Sequence, residues 1–152
     1  WGVELKYDMT EGVVDASSGY MGGSRDKPTY KEVCTDKTGH AEVVQITYDP
    51  AKISYEKLLD IFWHLHDPTQ VNRQGPDWGS QYRTVIFYHD DEQKEAAEKS
   101  RAAMQASPEF EKRFGDKKIA TEIVEAATFW KAEDYHQDYF AKKGMESCHV
   151  GW

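Results

Sequence analysis

The chain has 152 residues, 39% of them hydrophobic, the size and composition of one ordinary domain that can bury a single core. Nineteen basic against twenty-seven acidic residues leave a net charge of -8, which repels phosphate backbones and anionic lipid, so neither nucleic acid nor a membrane is an expected partner. No apolar run approaches the roughly 20 residues of a transmembrane helix, and Cys34 and Cys148 are too few for a disulfide framework, so a monomeric chain in a reducing, cytoplasmic compartment is expected.

Gly2 to Met9 reads as a short helix and Val13 to Tyr20 as a strand running into the glycine-rich loop around Gly22 and Gly23. Val43, Val44, Ile46 and Tyr48 make a β-branched and aromatic run closed by Asp49-Pro50, the pattern of a strand and its turn. Ser54 is a predicted N-cap for a helix in which Tyr55, Leu58, Leu59, Phe62 and Trp63 recur at helical spacing, stopping by Pro68. Residues 71 to 81, with Gly75, Pro76 and Gly79, are expected to be irregular, and Thr84 to Tyr88 a compact strand. Asp91 is the expected cap of a helix reaching about Ser107, ahead of Pro108. Ile119 to Val124 alternates as a strand does, and Ala132 to Phe140 reads as a short helix before a glycine-containing tail. Strands and helices mix without a regular βαβ repeat, which predicts an α+β fold with helices packed on a mostly antiparallel or mixed sheet.

Three segments stand out: Trp1-Gly2-Val3-Glu4; Pro28-Thr29-Tyr30 continuing to Thr38-Gly39-His40-Ala41-Glu42; and Arg73-Gln74-Gly75-Pro76-Asp77-Trp78-Gly79-Ser80-Gln81-Tyr82-Arg83. Together they closely resemble the A-type peptide methionine sulfoxide reductases, whose signature Gly-Cys-Phe-Trp-Gly carries the nucleophilic cysteine. The resemblance covers nearly the whole chain. It implies a single domain over residues 1–152, a two-layer α/β roll with a mixed sheet and a ferredoxin-like general layout. It also places the nucleophile, cysteine or selenocysteine, two residues before Trp1 on a strand preceding the sequence given.

Reducing a sulfoxide needs a nucleophile for sulfur, a proton for the departing oxygen and an apolar surface for the S-methyl group. Glu42 is the candidate proton donor, a role that requires burial to keep the carboxyl neutral; a solvated glutamate at a strand end is the alternative. Tyr30 and Tyr82 can donate phenolic hydrogen bonds to the sulfoxide oxygen without bringing a charge. The resemblance puts both, with Asp77, in the active site, and leaves Trp1 as an aromatic wall for the methyl group. Without it the tyrosines read as core or rim aromatics and Asp77 as a turn residue. Pro76 and Ser80 depart from the asparagine and threonine usual in the family, and Pro76 removes a backbone donor from the loop.

Cys148 lies in the tail segment Gly144-Met145-Glu146-Ser147-Cys148-His149, where family members carry resolving cysteines; it is the candidate to condense with a sulfenic acid, against a free surface thiol. Cys34 reads as a small buried hydrophobe. His64, His66, His89, His136 and His149 have no zinc spacing, His64 and His66 would point apart on their helix, and His40 reads as a hydrogen-bonding support. No metal is implied, nor, without a Gly-x-Gly-x-x-Gly loop, any nucleotide cofactor. The resemblance implies an enzyme of protein repair under oxidative stress that reduces free or peptide-bound methionine S-sulfoxide and is recycled by thioredoxin or another dithiol. A noncatalytic sulfoxide-binding domain is the rival reading.

Overall fold

The computed structural model describes residues 2–35 and 37–132, so the expected helix beyond Ala132, Cys148 and Trp1 lie outside the described residues. Helix α1 (Gly2–Asp8) leads into the long strand β1 (Val13–Met21), and a short helix α2 (Tyr30–Cys34) follows. Thr29 and Glu32 form a reciprocal capping box at the start of α2, which explains why five residues hold a helical turn. Strand β2 (Ala41–Tyr48) returns antiparallel along β1, pairing from Val13↔Tyr48 to Met21↔Ala41 with one irregularity near Val13.

Helix α3 (Tyr55–Leu65) starts at Ser54, whose hydroxyl accepts from the Lys57 N–H at 3.1 Å. Residues 71 to 81 hold more regular structure than their glycines suggest: β3 (Arg73–Gln74) and β4 (Asp77–Trp78) pair as a small hairpin, and a 3-10 turn covers Ser80–Tyr82. Gly75-Pro76 is the reason. With φ of 57° Gly75 makes the tight reversal that lets the flanking residues pair.

Strand β5 (Val85–Tyr88) then precedes helices α4 (Asp91–Gln105) and α5 (Pro108–Phe114), and β6 (Glu122–Glu125) runs parallel to β5. The cap of α4 is Asp90 rather than Asp91, since its carboxylate accepts from the Gln93 N–H at 2.8 Å. Pro108 ends no helix but occupies the first turn of α5, behind the cap Ser107, where its missing donor costs nothing. Strand β7 (Trp130–Lys131) adds to β1. The α+β arrangement is as expected, with both parallel and antiparallel pairing; among the described residues the strands fall into the sheets β2-β1-β7, β3-β4 and β5-β6.

Helix α3 holds the two halves together by burying two faces. Leu59 and Trp63 pack with Ile86, Ala97, Met104 and Phe110 on one side. Leu58 and Leu65 pack with Tyr7, Ala16 and Ile53 on the other. Polar links fix both contacts: Trp63 Nε1–H donates to Ser100 Oγ at 2.7 Å, and the Tyr7 hydroxyl to the Leu58 carbonyl at 3.0 Å. No helix among the described residues is long and apolar enough to cross a membrane.

The end of α3 carries a buried histidine. His66 Nδ1 lies 2.9 Å from the Phe62 carbonyl, to which it donates; Nε2, 2.7 Å from Thr84 Oγ1, is then left as the acceptor, and Thr84 is in turn bonded to Thr121 at 2.8 Å. Burial lowers its pKa to about 4, because the imidazolium would lose its hydration. The unfolded chain takes up this proton near pH 6.5 and the folded one only near 4, so acid favours unfolding across that window. Urea unfolding at pH 5 is expected to give a stability about 2 kcal/mol below that at pH 7 from this group, and His66→Gln should flatten that part of the profile.

Candidate active site

Strand periodicity explains where Glu42 goes. Val44, Ile46 and Tyr48 pack toward the core cluster that includes Tyr7 and Leu58, and Glu42 shares their phase on β2. The register pairs it with Tyr20 of β1, whose side chain is fully buried. Thus a carboxyl group is carried on the apolar face of a strand.

It faces a cavity of about 630 Å³ that runs between β2 and β5, with Tyr30, Glu42, Asp77 and Tyr82 as polar lining and Met21 and Phe87 among the apolar one. Four of the residues that the sequence singled out, from two separate segments, are therefore brought together. Burial raises the Glu42 pKa to about 7, and the negative charge of Asp77 pushes the same way. A group that would be fully ionised in water is half protonated here at neutral pH.

Tyr30 and Tyr82 share a hydrogen bond, and Tyr30 also bonds the Cys34 side chain. That bond to Cys34 is the largest cause raising the Tyr30 pKa, followed by burial; Tyr82 is raised first by burial and then by the Glu42 charge. Both phenols stay protonated and able to donate. Cys34 is not the buried hydrophobe expected: it is exposed. Val33, at 1% exposure, takes the core side of α2, and the next residue turns away from it. Its position one helical turn after Tyr30 was the available signal that the two share a face. Asp77 sits on β4 rather than in an irregular loop.

The loops carrying these groups are fastened by polar clamps. His40, 2% exposed, accepts the Gly23 N–H at Nδ1 (3.0 Å), with Nε2 2.6 Å from the Arg25 carbonyl. Gly23 has no room for a side chain, since a Cβ would lie 2.3 Å from the Thr38 carbonyl oxygen. Arg83 donates to the carbonyls of Gly39 (3.0 Å) and Ser80 (2.9 Å) and pairs with Glu122 at 3.4 Å. One guanidinium thereby joins the turn before Glu42 to the turn bearing Tyr82, a role that sequence reasoning did not assign. Its place directly after Tyr82 was the only hint. Among the described residues no cluster of three or more His, Cys, Asp or Glu could hold a metal. His64 and His66 diverge: His64 bonds Glu109 at 2.8 Å on the surface, while His66 is buried.

A carboxyl half protonated at neutral pH and two phenols around an apolar cavity make a site for a polar, uncharged oxygen borne on an apolar group, which is the class of a sulfoxide-processing pocket. Over residues 1–152 the chain matches peptide methionine sulfoxide reductase, and it belongs to that family. It is 54% identical over 150 residues to peptide methionine sulfoxide reductase MsrA of Acidobacterium capsulatum, covering 99% of this chain and 93% of that one. With the MsrA of Methanoculleus marisnigri it shares 53% over 152 residues, 100% and 90% of the two chains. Among solved structures it is similar to methionine sulfoxide reductase A of Corynebacterium diphtheriae, with a TM-score of 0.85, 34% identity and 99% and 77% of the chains covered. Reduced Mxr1 from Saccharomyces cerevisiae gives a TM-score of 0.83 at 38% identity, over 95% and 80%.

Because Asp77 raises the Glu42 pKa, Asp77→Asn should lower it. Carbon-detected NMR of the Glu42 carboxyl, expected to titrate near pH 7 in the parent, checks both the value and the direction.

Proposed function

We propose that this chain is a thiol-dependent reductase of methionine S-sulfoxide, free or within polypeptides, and that Glu42 is its proton donor. The observation that carries the reading is the Glu42 carboxyl, held at a pKa of about 7 by burial, on a cavity it shares with Tyr30 and Tyr82. A thiolate attacks the sulfoxide sulfur, and the S–O bond breaks as the oxygen is transferred to the thiolate sulfur. Glu42 supplies the proton, so one thiolate, one sulfoxide and one proton give a sulfenic acid and the thioether. The phenols of Tyr30 and Tyr82 hold the oxygen before and during transfer, and Asp77 adds to the burial that raises the Glu42 pKa and faces the substrate from the cavity wall. Trp1 supplies an aromatic contact for the methyl group.

The nucleophile is the cysteine or selenocysteine of the family's Gly-Cys-Phe-Trp-Gly motif, which corresponds to the position two residues before Trp1. Cys148 then condenses with the sulfenic acid, releasing water and forming a disulfide that a thioredoxin-class dithiol reduces. The yeast Mxr1 is also solved in complex with Trx2, which supports that class of reductant. The net charge of -8 supports a chain working apart from nucleic acid and anionic membrane surfaces, and its two cysteines, Cys34 and Cys148, suit a reducing, cytoplasmic compartment. No observation favours a noncatalytic sulfoxide-binding domain.

In a chain extended upstream through the cysteine, Glu42→Gln keeps the size of the side chain but cannot give up a proton. Single-turnover methionine formation is expected to slow by about 100-fold, the scale of general acid catalysis, with substrate affinity changed far less. A rate within threefold of the parent would remove Glu42 as the acid.

Cys148→Ser in the same extended chain should leave the first turnover intact and stop thioredoxin-driven cycling, read as a burst of one methionine per enzyme with no steady state after it. Full steady-state turnover with thioredoxin would exclude Cys148 as the resolving thiol.

A further inference from the structure

The hairpin that presents Asp77 also presents a large aromatic surface to solvent. Trp78 is 67% exposed, next to a residue of the cavity wall, although an indole is among the side chains that gain most from burial. It is held in place. The Arg73 guanidinium carbon lies 4.1 Å from the ring centroid, and its Nε and Nη2 donate to the Gly75 carbonyl at 3.2 and 2.7 Å. Gly75 N–H donates to Gln70 Oε1 at 2.8 Å, Gln74 makes a two-way bond with the Asp67 backbone, and Gly79 N–H reaches the Asn72 carbonyl at 2.9 Å. Pro76 removes backbone freedom from the turn between them.

We infer that this hairpin is a preformed docking platform for the polypeptide on either side of an oxidised methionine, and that Trp78 sets the preference for peptide-bound over single-residue sulfoxide. The inference rests on the sulfoxide pocket proposed above and extends it outward. Continuity identifies the occupant: Gln74, Pro76 and Asp77 of the hairpin line the cavity, so the hairpin offers a path for a chain whose methionine side chain enters that cavity. A single amino acid has no atoms to place there. Arg73 stacks on Trp78, which orients the indole while leaving most of it bare, and an apolar flanking side chain removes that area from water. Because the platform is already rigid, docking costs little ordering entropy, and that is how a small contact yields measurable selectivity.

Binding requires no nucleophile, so the test uses the chain as given. Isothermal titration would compare a blocked heptapeptide with methionine S-sulfoxide centred between leucines, the same heptapeptide with methionine, and N-acetyl methionine S-sulfoxide methylamide. In the parent the sulfoxide heptapeptide is expected to bind about tenfold more tightly than the single blocked residue, the scale of one aromatic anchor at an interface. Trp78→Thr, a surface change that suits a strand, should reduce that ratio to about twofold, and Trp78→Phe should restore most of it. An unchanged ratio in Trp78→Thr overturns the platform, as does equal weakening of both sulfoxide probes. If the parent binds the methionine heptapeptide as well as its sulfoxide form, the pocket reading fails and the platform with it.

Discussion

Everything at the site depends on the pairing register between β1 and β2. Side chains alternate along a strand, so a slip of one residue would turn Glu42 to the opposite face of the sheet and put Val43 in its phase. The register is secured by the core itself: Val44, Ile46 and Tyr48 occupy the same face and pack with residues of α1 and α3. All three are partly buried there, so exposing them would forfeit part of the roughly 1.5–3 kcal/mol that full burial of such a side chain is worth. The hydrophobic effect thus supplies the force that holds an acid where water cannot stabilise its charge.

The second requirement is that the cavity wall be fixed before substrate arrives. The part of the wall that carries Asp77 and Tyr82 comes from a short hairpin and a turn, and polar clamps steady it. His40 ties the end of β2 to the loop after β1, and Arg83 ties it to the 3-10 turn below Tyr82. Bonds from charged or buried donors to backbone carbonyls are stiff because leaving either partner unpaired is costly. Buried Glu4, accepting the Ser18 N–H at 2.7 Å and the Ser18 hydroxyl, does the same between α1 and β1.

How much of this could be read from the residues follows from the physics of each element. β2 and α3 were legible because apolar residues recur along them at periods near two and 3.6, whereas Glu42 was assigned through the family resemblance of Gly39-His40-Ala41-Glu42, and only the longer strand found in the structure shows that it continues the phase of Val44, Ile46 and Tyr48. The β3–β4 hairpin was missed because pairs of two residues are too short to show a period and its glycine and proline read only as breakers. Cys34 was misplaced because a five-residue helix has no long pattern to reveal its faces. Arg83 was invisible as a clamp for another reason: its partners are backbone carbonyls, which every residue has.

The charge economy of the site explains the choice of its members. A free ammonium or guanidinium aimed at the sulfoxide oxygen would polarise it more strongly than a phenol, but would also draw the Glu42 pKa down and leave it ionised at neutral pH. Phenols avoid that conflict, since each donates a hydrogen bond and adds no positive charge. Arg83 does line the cavity, yet its guanidinium is directed at the Gly39 and Ser80 carbonyls and at Glu122, so its charge is compensated away from the acid. Asp77 works in the opposite sense, placing a negative charge where it favours the protonated form of Glu42. Burial, uncharged donors and one like charge therefore act together to keep a glutamic acid available as an acid.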